Sequence, residues 1–132
     1  MNRAVLFDTG PLYALADPSD QYHRRTQRRL EQLAAQGRFM ALTYPTLMEA
    51  YTLVLRRLGV EYAHRWLQEL LAGAMLINPE PGDYQIAVGL LLRLADQPLT
   101  LFDTVAAAVS LRLRMPVWTY DRHFGLLGVE RC

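Results

Sequence analysis

Ala4-Val5-Leu6-Phe7-Asp8-Thr9-Gly10-Pro11-Leu12 is an apolar run that ends on a carboxylate and turns at once towards a helix. Residues 3–7 read as a strand buried on both faces, because their apolar character is continuous, as in parallel sheets. Pro11 suits the first turn of a short helix reaching about residue 16. A strand followed directly by a helix is half of a βαβ unit, and the rest of the chain repeats that alternation.

Asp17-Pro18-Ser19-Asp20 is a turn with N-cap chemistry. The helix it opens is expected to bury Tyr22, Thr26, Leu30, Leu33 and Ala34 and to stop at Gly37. Arg24, Arg25, Arg28 and Arg29 fall mainly on its other face. Strand 39–42 follows, then helices 45–58 and 60–72 broken at Gly59, and strand 74–77. Pro81-Gly82-Asp83 opens a helix to about residue 95, with Asp83 read as its N-cap and Glu80 as solvated. A loop with Asp96 leads to a helix over 102–114, strand 116–119 and a helical turn near His123. Val129 is expected on a last edge strand. Strands alternating with helices imply a parallel sheet covered on both faces, with right-handed crossovers. Sites in such sheets form outside the carboxyl ends of the strands, where Asp8 and Asp121 fall.

Composition narrows the chemistry. At 132 residues, 52% hydrophobic and 20% charged, the chain is expected to be one domain, residues 1–132, with one core. No stretch of about 20 apolar residues is present to span a bilayer, and the start lacks the pattern of a secretory signal; a cytoplasmic location without membrane attachment is expected. The one cysteine, Cys132, leaves no internal disulfide and argues against a catalytic thiol. All 14 basic residues are arginine, which has a bland reading in genome base composition. The missing lysine excludes a P-loop, a Schiff base and a lysine-assisted phosphoaspartate site. His23, His64 and His123 have no zinc-ligand spacing, and Ser19 and Ser110 lack a nucleophile-elbow context.

Four carboxylates remain at element boundaries: Asp8, Glu49, Asp103 and Asp121. Each has an ordinary reading as a helix cap. Thr46-x-x-Glu49 and Thr100-x-x-Asp103 match the capping box, and Asp8 and Asp121 stand where N-caps of the following helices belong. Gathered at one edge, however, the four would need a hard divalent cation to hold them together.

The segments Val5-Leu6-Phe7-Asp8-Thr9-Gly10-Pro11-Leu12, Thr46-Leu47-Met48-Glu49-Ala50, Leu99-Thr100-Leu101-Phe102-Asp103-Thr104-Val105-Ala106-Ala107-Ala108 and Thr119-Tyr120-Asp121-Arg122-His123-Phe124 resemble, in this order, those of PIN domains, and within them the VapC-type toxins of bacterial toxin–antitoxin pairs. The resemblance covers essentially the whole chain. It implies a PIN-like three-layer α/β/α sandwich around a mainly parallel twisted sheet of four to five strands. It further implies an endoribonuclease using Mg²⁺ or Mn²⁺, with Asp8, Glu49, Asp103 and Asp121 as metal-binding and catalytic acids. Thr9 and Thr119 would orient the carboxylates by hydrogen bonds. RNA as substrate, an antitoxin protein as partner and a two-fold homodimer belong to the same expectation. For the dimer, the apolar helix pair around Gly59 (Tyr51, Leu55, Leu58, Tyr62, Trp66, Leu70) is the expected surface. A nuclease of RNA processing without an antitoxin and a non-catalytic binding module are the alternatives. A phosphatase or phosphotransfer reading of Asp8 fails on the absent lysine and on Gly10 two residues later.

Overall fold

A computed structural model describes residues 3–132. Four strands, β1 (Ala4–Phe7), β2 (Phe39–Thr43), β3 (Met75–Ile77) and β4 (Val117–Trp118), form one parallel sheet in the order β3-β2-β1-β4. Six α-helices lie between them: α1 (Thr9–Ala16), α2 (His23–Ala35), α3 (Tyr44–Leu58), α4 (Val60–Gly73), α5 (Pro81–Arg93) and α6 (Leu101–Leu113). A 3-10 helix spans Arg122–Leu127.

The period of two in β1 divides the core. Ala4 and Leu6 point to one layer, packed with Leu90 of α5, Ala106 and Val109 of α6, and Phe124. Val5 and Phe7 point to the other, packed with Leu12, Leu33, Leu47 and Ala50 of α1, α2 and α3. All four residues are buried, which is why their sequence shows no alternation. The result is the expected three-layer α/β/α sandwich. Helix α6 is the most enclosed, buried continuously from Thr104 to Ser110, and its three alanines let it lie close to its neighbours.

Several local expectations need correction. The predicted edge strand at Val129 is instead one parallel bridge between Val117 and Arg131, with Val117 N–H donating to Glu130 O and Cys132 N–H to Val117 O. Ala34 is exposed, because α2 buries only Thr26 and Leu33. Helix α5 stops at Arg93. The predicted breaks hold: Gly37 and Gly59 take φ of 72° and 92°, the left-handed region that glycine enters without Cβ strain.

Asp83 is not an N-cap. It sits one turn inside α5, accepts from Glu80 N–H (2.8 Å), and is buried against Arg112 of α6 through Nε (2.9 Å) and Nη2 (2.8 Å). Glu80 is the capping residue, mostly exposed and 3.4 Å from the same guanidinium. The two-pronged pair bolts α5 to α6, and the Arg112 hydrogen bonds hold the Asp83 carboxyl below its usual 3.8. Its stabilisation is therefore present above pH 3.8 and lost as pH falls through the depressed folded value. Asp83→Ala is expected to lower Tm at pH 7 by roughly 5 °C or more, since Arg112 loses its buried partner and keeps only the exposed Glu80. Thermal melts at pH 7 and pH 3 check this: the gap between variant and wild type should shrink at the lower pH.

Candidate functional site

The strand order reverses at β1, whose neighbours are β2 on one side and β4 on the other. Parallel sheets open a crevice at such a point, at the strands' carboxyl ends. Asp8 N–H donates to Trp118 O (3.0 Å), so the ends of β1 and β4 are tied together there. Asp8 follows β1, Thr119 and Asp121 follow β4, Glu49 comes from α3, and Asp103 from the first turn of α6.

Hydrogen bonds connect these residues in two strings. Asp121 N–H donates to Thr119 Oγ1 (2.9 Å), and that hydroxyl donates to Asp8 Oδ2 (2.8 Å). Thr9 Oγ1 donates to Glu49 Oε1 across 40 positions of sequence. Both threonine hydroxyls thus donate to a carboxylate. Asp8 occupies the N-cap position of α1 yet makes no side-chain cap bond. Glu49 is no cap either: α3 starts earlier than Thr46-x-x-Glu49 suggests, with Thr43 Oγ1 accepting from Thr46 N–H (3.2 Å). The other two acids do cap. Asp103 Oδ2 accepts from Thr100 N–H (2.9 Å) while Thr100 Oγ1 accepts from Asp103 N–H (3.2 Å). Asp121 Oδ1 accepts from His123 N–H (2.9 Å) and meets His123 Nδ1 at 2.6 Å, a contact with no precedent in the sequence reading of that histidine.

The electrostatics are those of crowded like charges. Asp8 is 7% exposed. Burial above all, then repulsion from Asp103 and Glu49, pushes its carboxyl up to about 7, against the opposing bonds from Thr119 and Thr9. Burial, then Asp103, raises Glu49; burial, then Asp121, raises Asp103. Among the described residues no arginine lies within ion-pair distance of Asp8, Glu49 or Asp103. Also among the described residues, no three Asp, Glu, His or Cys side chains are gathered closely enough to hold one ion between them. Asp103 and Asp121 are turned onto helix ends, which accounts for the open arrangement. The donor set is nevertheless all oxygen and negatively charged, with no arginine paired to Asp8, Glu49 or Asp103, which suits a hard divalent ion and not a soft one.

His23, read as a helix-start residue and not a ligand, meets Ala14 O through Nδ1 at 2.7 Å. Tyr62 hydroxyl donates to Ala16 O and Trp66 packs beside it, consistent with packing roles for both. No described helix is long and apolar enough to cross a membrane.

No family model and no curated protein matches the sequence. Solved structures do match the fold. VapC20 of Mycobacterium tuberculosis, a toxin cleaving the sarcin–ricin loop, superposes with TM-score 0.84 at 20% identity, over 97% of this chain and 98% of that one. VapBC2 of Rickettsia felis, bound to a DNA fragment from its promoter, gives 0.77 at 15% over 97% and 96%. DNA-bound VapBC of Salmonella typhimurium gives 0.73 at 17% over 99% and 96%. The chain has the fold of these proteins along nearly its whole length.

Proposed function

We propose that this chain is a Mg²⁺- or Mn²⁺-dependent endoribonuclease and the toxin of a toxin–antitoxin pair, acting in the cytoplasm. The observation that carries the proposal is the buried Asp8 carboxyl. It is raised to about 7 by burial and by neighbouring acids with no protein cation beside it, at the carboxyl ends of β1 and β4. The fold shared with VapC20 supports RNA as the substrate.

Asp8 and Asp103 would hold the cation directly. Asp121 would hold it directly or through water, and Glu49 would bind it or orient the attacking water as general base. The ion, when bound, lowers the pKa of its water and neutralises charge on the scissile phosphate. Asp8 gives up its proton on binding, and Thr119 keeps its Oδ2 oriented. Thr9 does the same for Glu49. The test is incubation of purified protein with RNA: cleavage with Mg²⁺ or Mn²⁺, abolished by chelator. Cleavage undiminished by chelator defeats the metal assignment.

The partner follows from the same acids. An antitoxin arginine, whose planar fork meets two carboxylate oxygens, would pair with Asp8, Asp103 or Asp121 and displace the ion. Excess Mg²⁺ is then expected to weaken inhibition in a cleavage assay with the partner present. Inhibition insensitive to Mg²⁺ would place control elsewhere.

A homodimer is also part of the proposal, and α5 offers a surface for it beside the α3–α4 pair. Tyr51, Leu55, Leu58, Tyr62, Trp66 and Leu70 are each half-buried against one another and α1. The exposed stripe lies on α5, where Tyr84, Val88 and Leu92 (41%, 44% and 69% exposed) recur every four residues. Light scattering at tens of micromolar should give a dimer mass, shifted towards monomer by Val88→Glu. A monomeric wild type contradicts it.

A further inference from the structure

Beside the acidic crevice, a cavity of about 280 Å³ is lined by Arg25, Arg28, Arg29, Gln32, Trp118 and Tyr120, with Cys132 closing one side. Arg25, Arg28 and Arg29 are spaced three and four residues apart on α2, so they share one face. None of the three is within ion-pair distance of a carboxylate among the described residues. Three cations around one cavity repel each other and attract a polyanion.

The cavity is also ordered. The Tyr22 and Tyr120 rings stack at 4.6 Å between centroids, and the Arg25 guanidinium lies 5.8 and 5.4 Å from them. The Tyr120 hydroxyl shares a hydrogen bond of 2.5 Å with Thr26 Oγ1, itself fully buried in α2. Trp118 meets Tyr120 edge to face at 6.1 Å. Arg29 donates to Cys132 Sγ (3.3 Å). Arg25 and Arg29, held by these contacts, lose less entropy on binding than free side chains would.

Its placement matters most. Trp118 and Tyr120 alternate with Thr119 and Asp121, the residues tied to Asp8, so one four-residue segment borders both the cavity and the carboxylates. A Cβ at Gly10, two residues after Asp8, would come 3.8 Å from the Tyr120 ring. We propose that this arginine cavity binds a phosphate of the RNA strand next to the one cut at the carboxylates, setting the register of the substrate. Arg28 and Arg29 contact the phosphate and Arg25 holds the aromatic floor while adding charge. This inference rests on the ribonuclease reading, which the test separates from it.

Binding is measured by fluorescence anisotropy on a labelled single-stranded RNA oligonucleotide, using Asp8→Asn protein so that turnover is not needed. Adding Arg25→Gln, Arg28→Gln and Arg29→Gln together should weaken binding at least tenfold. The slope of log K against log salt should fall by about 0.7, as one phosphate left unneutralised on a single strand requires. In the cleavage-competent background the same changes should raise KM more than they lower kcat, and lysine at the three positions should restore most of the affinity. If the triple variant does not fold, Arg28→Gln with Arg29→Gln, which leaves Arg25 on its rings, should lower the slope by about 0.7. Arginine-dependent RNA binding by a wild type that cleaves nothing would leave the cavity standing and remove the nuclease. Cleavage with KM and salt slope unchanged in the variants would overturn the cavity and leave the nuclease. Loss of a protein partner, with RNA binding intact, would overturn it as well.

Discussion

Asp8→Asn is expected to lower RNA cleavage by several orders of magnitude while making the metal-free protein more stable at neutral pH. The two effects share a cause. Asp8 is buried, and its folded carboxyl lies at about 7 against an ordinary 3.8. An acid with a raised folded value destabilises its ionised form. The cost is absent below pH 3.8, grows as pH rises, and is complete above about 7. The gap corresponds to about 4 kcal/mol. Asparagine keeps the shape, can still accept from Thr119, and carries no charge, so metal-free melts of the variant should fall less than those of wild type between pH 4 and 8, the remaining fall coming from Glu49 and Asp103, which burial also raises. The same neutral amide is a poor ligand for a hard cation, and activity goes with it. Asp103→Asn should act the same way to a smaller extent, because Asp103 is less buried. A wild-type cleavage rate in the Asp8→Asn, Asp103→Asn double variant would refute the roles of both.

Mg²⁺ is expected to raise Tm by roughly 10 °C once it reaches about a hundred times its dissociation constant, which corresponds to about 2.7 kcal/mol of binding. The shift should be larger at pH 8 than at pH 6. At pH 6 Asp8 carries a proton that the cation must displace, and at pH 8 it does not. Binding also relieves the repulsion among Asp8, Glu49 and Asp103. Differential scanning fluorimetry across a Mg²⁺ series at the two pH values measures it, with Asp8→Asn as the control that should not respond. A flat Tm in wild type, with no cleavage, would identify a binding module without catalysis.

How far each acid could be understood before folding depends on where its partners lie. Thr100 and Asp103 are three residues apart, and their capping box forms as the spacing requires, because a helix's first turn brings those positions together regardless of what surrounds it. Thr46 and Glu49 have the same spacing and do not form one. Thr43 starts the helix instead, and Glu49 is held by Thr9 of another element. The identical pattern divides because the start of α3 follows directly from the end of β2, and strand pairing with β3 decides where that end falls.

The same contrast runs through the molecule. The alternation of strands and helices, the glycine breaks and the placement of Asp8 at a strand end are local matters of apolar period and backbone freedom, and they are legible in the chain. Contacts between distant segments are not. Asp83 reads as a cap and is in fact the buried partner of Arg112, 29 positions away. An apolar stripe left open lies on α5, while α4 folds back on α1 and α3 and half-covers Tyr51, Leu55, Leu58 and Tyr62. Tyr120 joins Thr26 across 94 positions, making an ordered cavity of what sequence shows only as a run of arginines on α2. Side-chain period fixes which face of an element is apolar; what that face meets, and how far a carboxyl is thereby taken out of water, is set only when the layers close.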